Sequence, residues 1–167
     1  MSAWSPWQIG LSRPGERKLP DQGTPSEERG TYVLIVSLER DHLISVGKLG
    51  QIMFRSGTYA YCGSAMAGYR SRVGRHFSRE KKLRWHIDYL LQKGEPVCAF
   101  LIPGGHEMEC SLGRLLSSLE GSEPIPGFGS SDCSCRSHLY RIEESSIPTL
   151  AGVLEGLCRS TDALEND

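Results

Sequence analysis

The sequence predicts an α+β fold, a small and mainly antiparallel sheet of three to five strands flanked by helices. Three observations lead to this prediction. Short runs rich in β-branched and aromatic residues occupy the first part of the ordered region, with glycine-containing turns between them. Helical patterns, with apolar residues three and four positions apart, follow these runs. No internal repeat is evident, which argues against a repeat architecture.

Six segments have the composition of strands. The first, TYVLIVSL, is apolar on both faces, which is typical of a central strand. The next three are LISVG, QIMF and TYAYCG, whose short turns predict an antiparallel meander. VCAFLI predicts a further buried strand, and HLYRI a strand that closes the sheet. The six segments cover residues 31–38, 43–47, 51–54, 58–63, 97–102 and 138–142.

Four segments predict helices, over residues 69–79, 83–94, 107–121 and 147–159. In the first, Val73 and Phe77 lie four positions apart on one face, with arginines around them. The second ends at a glycine, a residue that favours helix C-termini. The third carries a leucine stripe for the core, and a serine and a proline open the last.

Length and composition indicate one domain. With 167 residues, the chain is long enough to bury a core. Residues 1–28 are rich in proline, glycine, serine and charge without periodicity, so we expect a disordered tail there. Residues 29–160 form the predicted domain, and 161–167 a flexible acidic tail.

The bulk properties exclude few partners. No apolar run approaches the roughly 20 residues of a membrane span, and the N-terminus has no signal-peptide pattern. We therefore expect a cytoplasmic protein with reduced cysteines and no membrane partner. The net charge of −1 neither supports nor excludes nucleic-acid binding, but residues 70–84 are dense in arginine and lysine.

Arg72 and His76 lie four positions apart on the first predicted helix and so share one face. A guanidinium gives paired, charge-assisted hydrogen bonds to a phosphate, and a histidine can move a proton near neutral pH. The alternative is a solvated basic face. Tyr32 and Tyr61 lie on predicted strands, where tyrosines are more often ordinary core residues.

Glu109 stands near the start of the third helix, at the edge of its leucine stripe. A carboxylate there either complements the helix dipole or holds a Mg²⁺ ion. Glu107 competes for both roles.

The loop DCSCRSH offers metal ligands. Cys133, Cys135 and His138 form a C-x-C-x-x-H pattern, and His86 is a candidate fourth ligand of a tetrahedral zinc site. Two other interpretations remain open: a redox-active thiol pair, or small buried cysteines beside a histidine that caps the loop. In a further interpretation His86, Asp88 and this loop border a substrate cleft.

The order of GTYVL, YAYCGSA, RSRVGRHF and a later helix-opening glutamate resembles the GIY-YIG nuclease superfamily. WHIDYLL at 85–91 and PGFGSSDCSCRSHL at 126–139 are similar to signatures of one prokaryotic branch, whose members are free-standing or attached to endonuclease III-like DNA-repair domains. The resemblance covers roughly residues 30–142.

The resemblance implies a role for each matched residue. Tyr32 would activate or orient the attacking water, and Tyr61 would position the scissile phosphate. Arg72 would stabilise charge on the phosphoryl group, with His76 near the nucleophile. Glu109 would hold one Mg²⁺ or Mn²⁺ ion that neutralises the leaving oxygen.

The implied function is metal-dependent endonuclease hydrolysis of DNA, branched or damaged, in repair or processing. The segment AMAG lengthens the connection before the arginines, so Arg70 competes with Arg72 for the catalytic role. Either the N-terminal tail or a partner protein would supply specificity. A non-catalytic DNA-binding module on the same fold, zinc-stabilised, is one alternative, and a zinc- or thiol-based sensor is another. The predicted nucleic-acid contacts are Arg70, Arg75, Arg79, Lys81, Lys82 and Arg84.

Overall fold

The predicted α+β architecture is confirmed over residues 29–164, the part of the chain that the computed structural model describes. The strands are β1 (Gly30–Leu38), β2 (His42–Ser45), β3 (Gln51–Phe54), β4 (Gly57–Ala65), β5 (Glu95–Pro103), β6 (Glu123–Pro124) and β7 (Leu139–Ile142). The helices are α1 (Tyr69–Phe77), α2 (His86–Leu90), α3 (Glu107–Ser118) and α4 (Ile147–Leu164).

One five-stranded antiparallel sheet forms the centre of the fold, in the order β5-β1-β4-β7-β6. Strand β1 pairs with β4 on one side and with β5 on the other, and nearly all of its residues are buried. The apolar character of both faces of this segment therefore correctly predicts a central strand.

The predicted meander is wrong in one respect. Strands β2 and β3 pair only with each other and form a separate two-stranded sheet. They cannot insert into the main sheet, because β1 and β4 pair directly along nine residues and β5 occupies the other side of β1. The hairpin instead covers one face of the sheet with Ile44 and Phe54, while Leu43 and Met53 stay exposed.

The sheet separates two hydrophobic cores, because side chains alternate along each strand. Tyr32 and Leu34 of β1 share one core with Val73 of α1 and with residues of α2 and the β2–β3 hairpin. We call this side the tyrosine face. Val33 and Ile35 point the other way and pack with α3 and α4, on what we call the opposite face.

Helix ends differ from the predictions for local reasons. Helix α2 spans only His86–Leu90, since the Asp88 carboxylate accepts backbone bonds from Arg84 and Trp85 and so caps the helix start there. Helix α4 includes residues 161–164, which the sequence assigned to the tail. The predicted tail at 1–28 and residues 165–167 lie outside the described residues. Within the described part of the chain, no helix has the length and apolarity of a membrane span.

The pairing of β1 with β4 sets Gly63 directly opposite Tyr32. A Cβ atom at Gly63 would lie 2.6 Å from the Tyr32 hydroxyl oxygen, so only glycine leaves room for this tyrosine. Gly30 has a similar function, because a Cβ atom there would collide with the Tyr69 hydroxyl and the Ile102 carbonyl. The glycines of both sequence motifs thus make space for tyrosine side chains.

We expect Gly63→Ala to lower the free energy of unfolding by about 1–3 kcal/mol, since overpacking displaces the buried Tyr32 ring. Gly74→Ala is the matched control: the added methyl on α1 would meet nothing within 4 Å beyond its chain neighbours and its own helix backbone, so a change of about 0.5–1 kcal/mol towards higher stability is expected. Urea unfolding measures both. Equal stability of the two variants would contradict the register.

Candidate active site and metal centre

Tyr32, His76 and Arg72 form a hydrogen-bonded group on the tyrosine face. The Tyr32 hydroxyl lies 2.7 Å from His76 Nε2, and Arg72 Nε donates to the Tyr32 hydroxyl oxygen at 3.3 Å. Because a guanidinium can only donate, the Tyr32 proton points to His76 Nε2. His76 then carries its own ring proton on Nδ1, a buried atom with no hydrogen-bond partner among the described residues.

Burial keeps this pair neutral. Desolvation raises the pKa of Tyr32 to about 12, although the neighbouring Arg72 charge opposes the rise. Desolvation also lowers the pKa of His76 to about 3, and the Arg72 charge lowers it further. At neutral pH the phenol is therefore protonated and the imidazole is uncharged.

Arg72, and not Arg70, lies beside the tyrosines. The Arg72 guanidinium carbon lies 3.4 Å from the centre of the Trp85 ring, and the side chain also hydrogen-bonds to the Tyr61 hydroxyl. Arg72 thus lies across both tyrosines, while Arg70 is exposed. The helical spacing correctly places Arg72 and His76 on one face, and that face is directed towards Tyr32 and Tyr61 rather than to solvent. We call these four residues the tyrosine cluster.

Tyr61 packs beside this group. Its ring centroid lies 6.2 Å from that of Tyr32 and 6.4 Å from that of His76. Desolvation raises the pKa of Tyr61 well above its ordinary value. Tyr59, two residues earlier on the same face, donates its hydroxyl to the Arg55 carbonyl and packs against Phe54, so its role is in packing.

Two of the predicted nucleic-acid contacts are engaged inside the protein. Arg75 pairs with the fully buried Asp88 carboxylate at 2.7 Å and also lies over Trp85. Lys81 donates to the carbonyls of Arg75 and His76 at the end of α1. The remaining four residues of the predicted set are exposed: Arg70, Arg79, Lys82 and Arg84.

Glu109 lies on the opposite face, on α3, and is buried, whereas Glu107 is exposed. Its Oε1 atom lies 3.0 Å from His138 Nδ1, and Ser64 hydrogen-bonds to the same carboxylate. Burial alone would raise the pKa of Glu109, but the bonds from His138 and Ser64 hold it below its ordinary value, so the carboxylate is ionised at neutral pH.

The structure therefore groups four of the five predicted catalytic residues on one face and places Glu109 on the other. The two groups lie near the same end of the sheet but on opposite faces, because Ser64 directly follows Gly63, the partner of Tyr32. The Glu109 charge acts on Tyr32 and contributes to the rise of its pKa.

A second group of chemistry-bearing side chains lies next to Glu109. The ligand atoms of Cys110, Cys133, Cys135 and His138 all lie within 4.8 Å of one another. We call these four residues the Cys3His cluster. The predicted fourth ligand, His86, is outside it, because its Nδ1 accepts a hydrogen bond from the Gly129 backbone at 2.9 Å. Cys110 from α3 takes that place.

The Cys3His cluster could bind a metal such as zinc. Tetrahedral coordination with Zn–S bonds of about 2.3 Å needs ligand separations of about 4 Å, close to those present. Burial raises the pKa of the Cys135 thiol to about 12, and the nearby Cys110 and Cys133 thiols add to the rise. A bound cation would reverse this effect and favour thiolates. Four protein ligands leave no open coordination position, which is typical of structural sites.

One protein-family model, described as "Domain of unknown function DUF123", matches residues 31–158. The chain belongs to this family. The DUF123 match includes the tyrosine cluster, Glu109 and the whole Cys3His cluster. No curated protein and no solved structure matches the chain.

Sequence reasoning did not assign Cys110 or Trp85 to the site of this DUF123 domain. Cys110 follows Glu109 directly, so a search for cysteines beside the other candidate site residues would have found it. Trp85 gives a weaker signal. Its ring is a platform for Arg72 only because Asp88 accepts hydrogen bonds from the Trp85 and Arg84 backbones and from the Arg75 side chain.

The buried Asp88 carboxylate makes the free energy of unfolding depend on pH. Burial would raise the pKa of Asp88, but its hydrogen bonds outweigh this and hold the pKa below the ordinary value of 3.8. Because the pKa of Asp88 is lower in the folded than in the unfolded chain, the ionised carboxylate gives its full stabilisation above the unfolded-state pKa. This contribution is lost as pH falls through the folded-state pKa.

We expect Asp88→Asn to lower the free energy of unfolding at pH 7 by about 1.5–3 kcal/mol, the range for hydrogen bonds to charged groups. The difference from the wild type should shrink as pH falls below 4 in a urea-unfolding series. Glu80→Gln, an exposed neighbour, should leave stability unchanged. A difference that stayed constant down to pH 2 would contradict the ionised Asp88.

Proposed function

We propose that this DUF123 domain is a metal-dependent endonuclease of the GIY-YIG type, which hydrolyses DNA phosphodiester bonds in repair or processing. The observation that carries the proposal is the Tyr32–His76 hydrogen bond beneath Arg72. Phosphodiester hydrolysis requires a group that stabilises charge on the phosphate and a group that orients the attacking water. Arg72 could serve the first purpose and the Tyr32–His76 pair the second.

The protonation states favour an orienting role for Tyr32. A phenol with a pKa of about 12 beside an imidazole with a pKa of about 3 is a weak route for removing a proton at neutral pH. With its proton held by His76, the Tyr32 oxygen can accept a hydrogen bond from the attacking water and align it. His76 thus fixes the direction of the Tyr32 hydroxyl.

Arg72 has to move for this chemistry. Tyr32 has no exposed surface, and Arg72 and Trp85 lie beside it at the edge of the cluster. A phosphate that draws the Arg72 guanidinium outward would replace its bonds to the tyrosines and admit the water to Tyr32. The substrate would then assemble the site on binding, which would limit cleavage of molecules that do not displace Arg72.

Two metals suit two different donor sets. The ionised carboxylate of Glu109 offers the oxygen ligand that Mg²⁺ or Mn²⁺ prefers. Such an ion would supply neutralisation of the leaving oxygen. The soft donors of the Cys3His cluster suit Zn²⁺ in a structural role. Because these thiols must stay reduced to bind zinc, a cytoplasmic location is part of the proposal.

The substrate would contact the exposed basic residues around α1 and the segment after it. Arg70, Arg79, Lys82 and Arg84 offer charge to a phosphate backbone without sequence readout. Selection of branched or damaged DNA would then come from a partner protein.

We expect cleavage of a panel of flapped, branched and abasic DNAs in Mg²⁺ or Mn²⁺, and none in EDTA. Tyr32→Phe should slow cleavage by about 100-fold, the scale of a misoriented reactant. Tyr59→Phe is the matched control, since it also removes a tyrosine hydroxyl bond on the same face of the sheet, but this hydroxyl bonds to the Arg55 carbonyl and not to Arg72. Glu109→Ala should abolish cleavage with the fold intact.

Equal rates for the Tyr32→Phe and Tyr59→Phe variants would refute the catalytic role of Tyr32. Undiminished cleavage by folded Glu109→Ala protein would refute the assignment of the metal ligand. Circular dichroism and urea unfolding of each variant separate these outcomes from loss of structure.

A second candidate function is a zinc-stabilised, non-catalytic DNA-binding module. The observations that favour it are the complete burial of Tyr32 and the location of Glu109 on the opposite face of the sheet. In this case the exposed basic residues would give salt-sensitive DNA binding in a gel-shift assay, with no cleavage in any metal.

A further inference from the structure

The Glu109 carboxylate directly contacts the histidine of the Cys3His cluster. Glu109 Oε1 lies 3.0 Å from His138 Nδ1, and the other ring nitrogen of His138, Nε2, lies 3.5 Å from Cys133 Sγ. His138 therefore faces the carboxylate with one nitrogen and the thiols with the other. Both residues are buried, so little solvent competes for these contacts.

This order of carboxylate, imidazole and cysteine cluster is the arrangement found around metal-bound histidines. A histidine that binds a metal through one nitrogen commonly donates its other N–H to a carboxylate, which fixes the tautomer and the ring orientation. Removal of that outer partner typically weakens metal binding by about 10–100-fold.

The backbone around His138 holds the ring in this place. The His138 carbonyl accepts from the Cys62 amide, and its own amide donates to the Phe128 carbonyl. On α3, Gly113 leaves space for the ring, since a Cβ atom there would lie 3.3 Å from His138 Cδ2. The imidazole is thus positioned between the sheet and α3, with Glu109 on the same helix.

We propose that Glu109 is a positioning residue for the metal of the Cys3His cluster, in which it orients His138 through Oε1 so that Nε2 is presented for coordination. The inference rests on the zinc site of the proposed function. It does not conflict with the cation role of Glu109, because the second oxygen is directed elsewhere. Oε2 lies 3.3 Å from His106, whose side chain is 62% exposed, and so faces the solvent side.

The same contact would couple the two metals of the proposed function. With zinc bound, His138 would keep its proton on Nδ1 facing Oε1, and Oε2, on the side of His106, would be the oxygen that could hold a hydrated cation. The one carboxylate would thus contact the Cys3His cluster through Oε1 and a hydrated cation through Oε2.

The test is a zinc-affinity measurement on the full chain by competition with a chromophoric chelator, without DNA. Wild type, Glu109→Ala, Glu109→Gln and Glu107→Ala are compared. We expect Glu109→Ala to weaken zinc binding by about 10–100-fold. Glu109→Gln should weaken it less, since an amide oxygen still accepts from Nδ1–H. Glu107→Ala removes an exposed carboxylate two positions earlier and should change nothing.

Cobalt substitution checks that the four ligands are intact. The thiolate-to-cobalt absorption of Co²⁺-loaded Glu109→Ala should match that of the wild type, because Glu109 acts through His138 and is not itself a ligand. If Glu109→Ala does not fold, the zinc affinity of Glu109→Gln compared with that of the wild type decides whether Glu109 positions His138. This substitution replaces a single carboxylate oxygen by an amide nitrogen.

Zinc affinity that is the same in the wild type and in folded Glu109 variants overturns the inference. A wild-type chain that binds no zinc removes the zinc site and the inference with it, whatever the result with DNA. Weakened zinc binding in a protein that cleaves no DNA would refute the nuclease while supporting the role of Glu109.

Discussion

The register between β1 and β4 is the constraint on which the candidate active site depends. It places Gly63 opposite Tyr32, so that a missing side chain on one strand makes room for a phenol on the other. A slip of one residue between the strands would put Tyr32 and Tyr61 on opposite faces of the sheet, so that they could no longer form one group with α1. The same register brings Ser64, and through it Glu109, to the end of the sheet where Tyr32 lies. One strand pairing thus sets the geometry on both faces.

Burial and charge act against each other at this site. A permanently charged guanidinium lies above a tyrosine and a histidine that burial keeps neutral. Arg72 is stabilised there by contact with the Trp85 ring. The Trp85 backbone amide in turn donates a hydrogen bond to the buried Asp88 carboxylate. On the far side of Tyr61, Gly129 fits between that ring and His138, since a Cβ atom there would lie 3.0 Å from Tyr61 Cε2. The loop that carries Cys133, Cys135 and His138 therefore packs directly against Tyr61.

Local patterns in the sequence predict the elements, while the partners across space require the structure. Apolar runs predict the strands, and the four-residue spacing correctly pairs Arg72 with His76. The spacing of Cys133, Cys135 and His138 predicts most of the Cys3His cluster. The spacing of the loop cysteines does not point to Cys110, because it lies more than twenty residues before them, and its position beside Glu109 is the one sequence signal for it. The separation of the β2–β3 hairpin from the main sheet is likewise not readable from the sequence, since strand patterns predict a strand without specifying its neighbour.

The most direct test of this account is a pH titration of His76 followed by ¹⁵N NMR of its ring nitrogens. The account predicts a neutral ring from pH 8 down to pH 5, with Nε2 as the acceptor and the proton on Nδ1, since its pKa is lowered to about 3. Tyr32→Phe should abolish the acceptor signature at Nε2. A ring that gains a second proton near the ordinary pKa of 6.5 would contradict the buried Tyr32–His76 pair, and with it the arrangement on which the proposed chemistry depends.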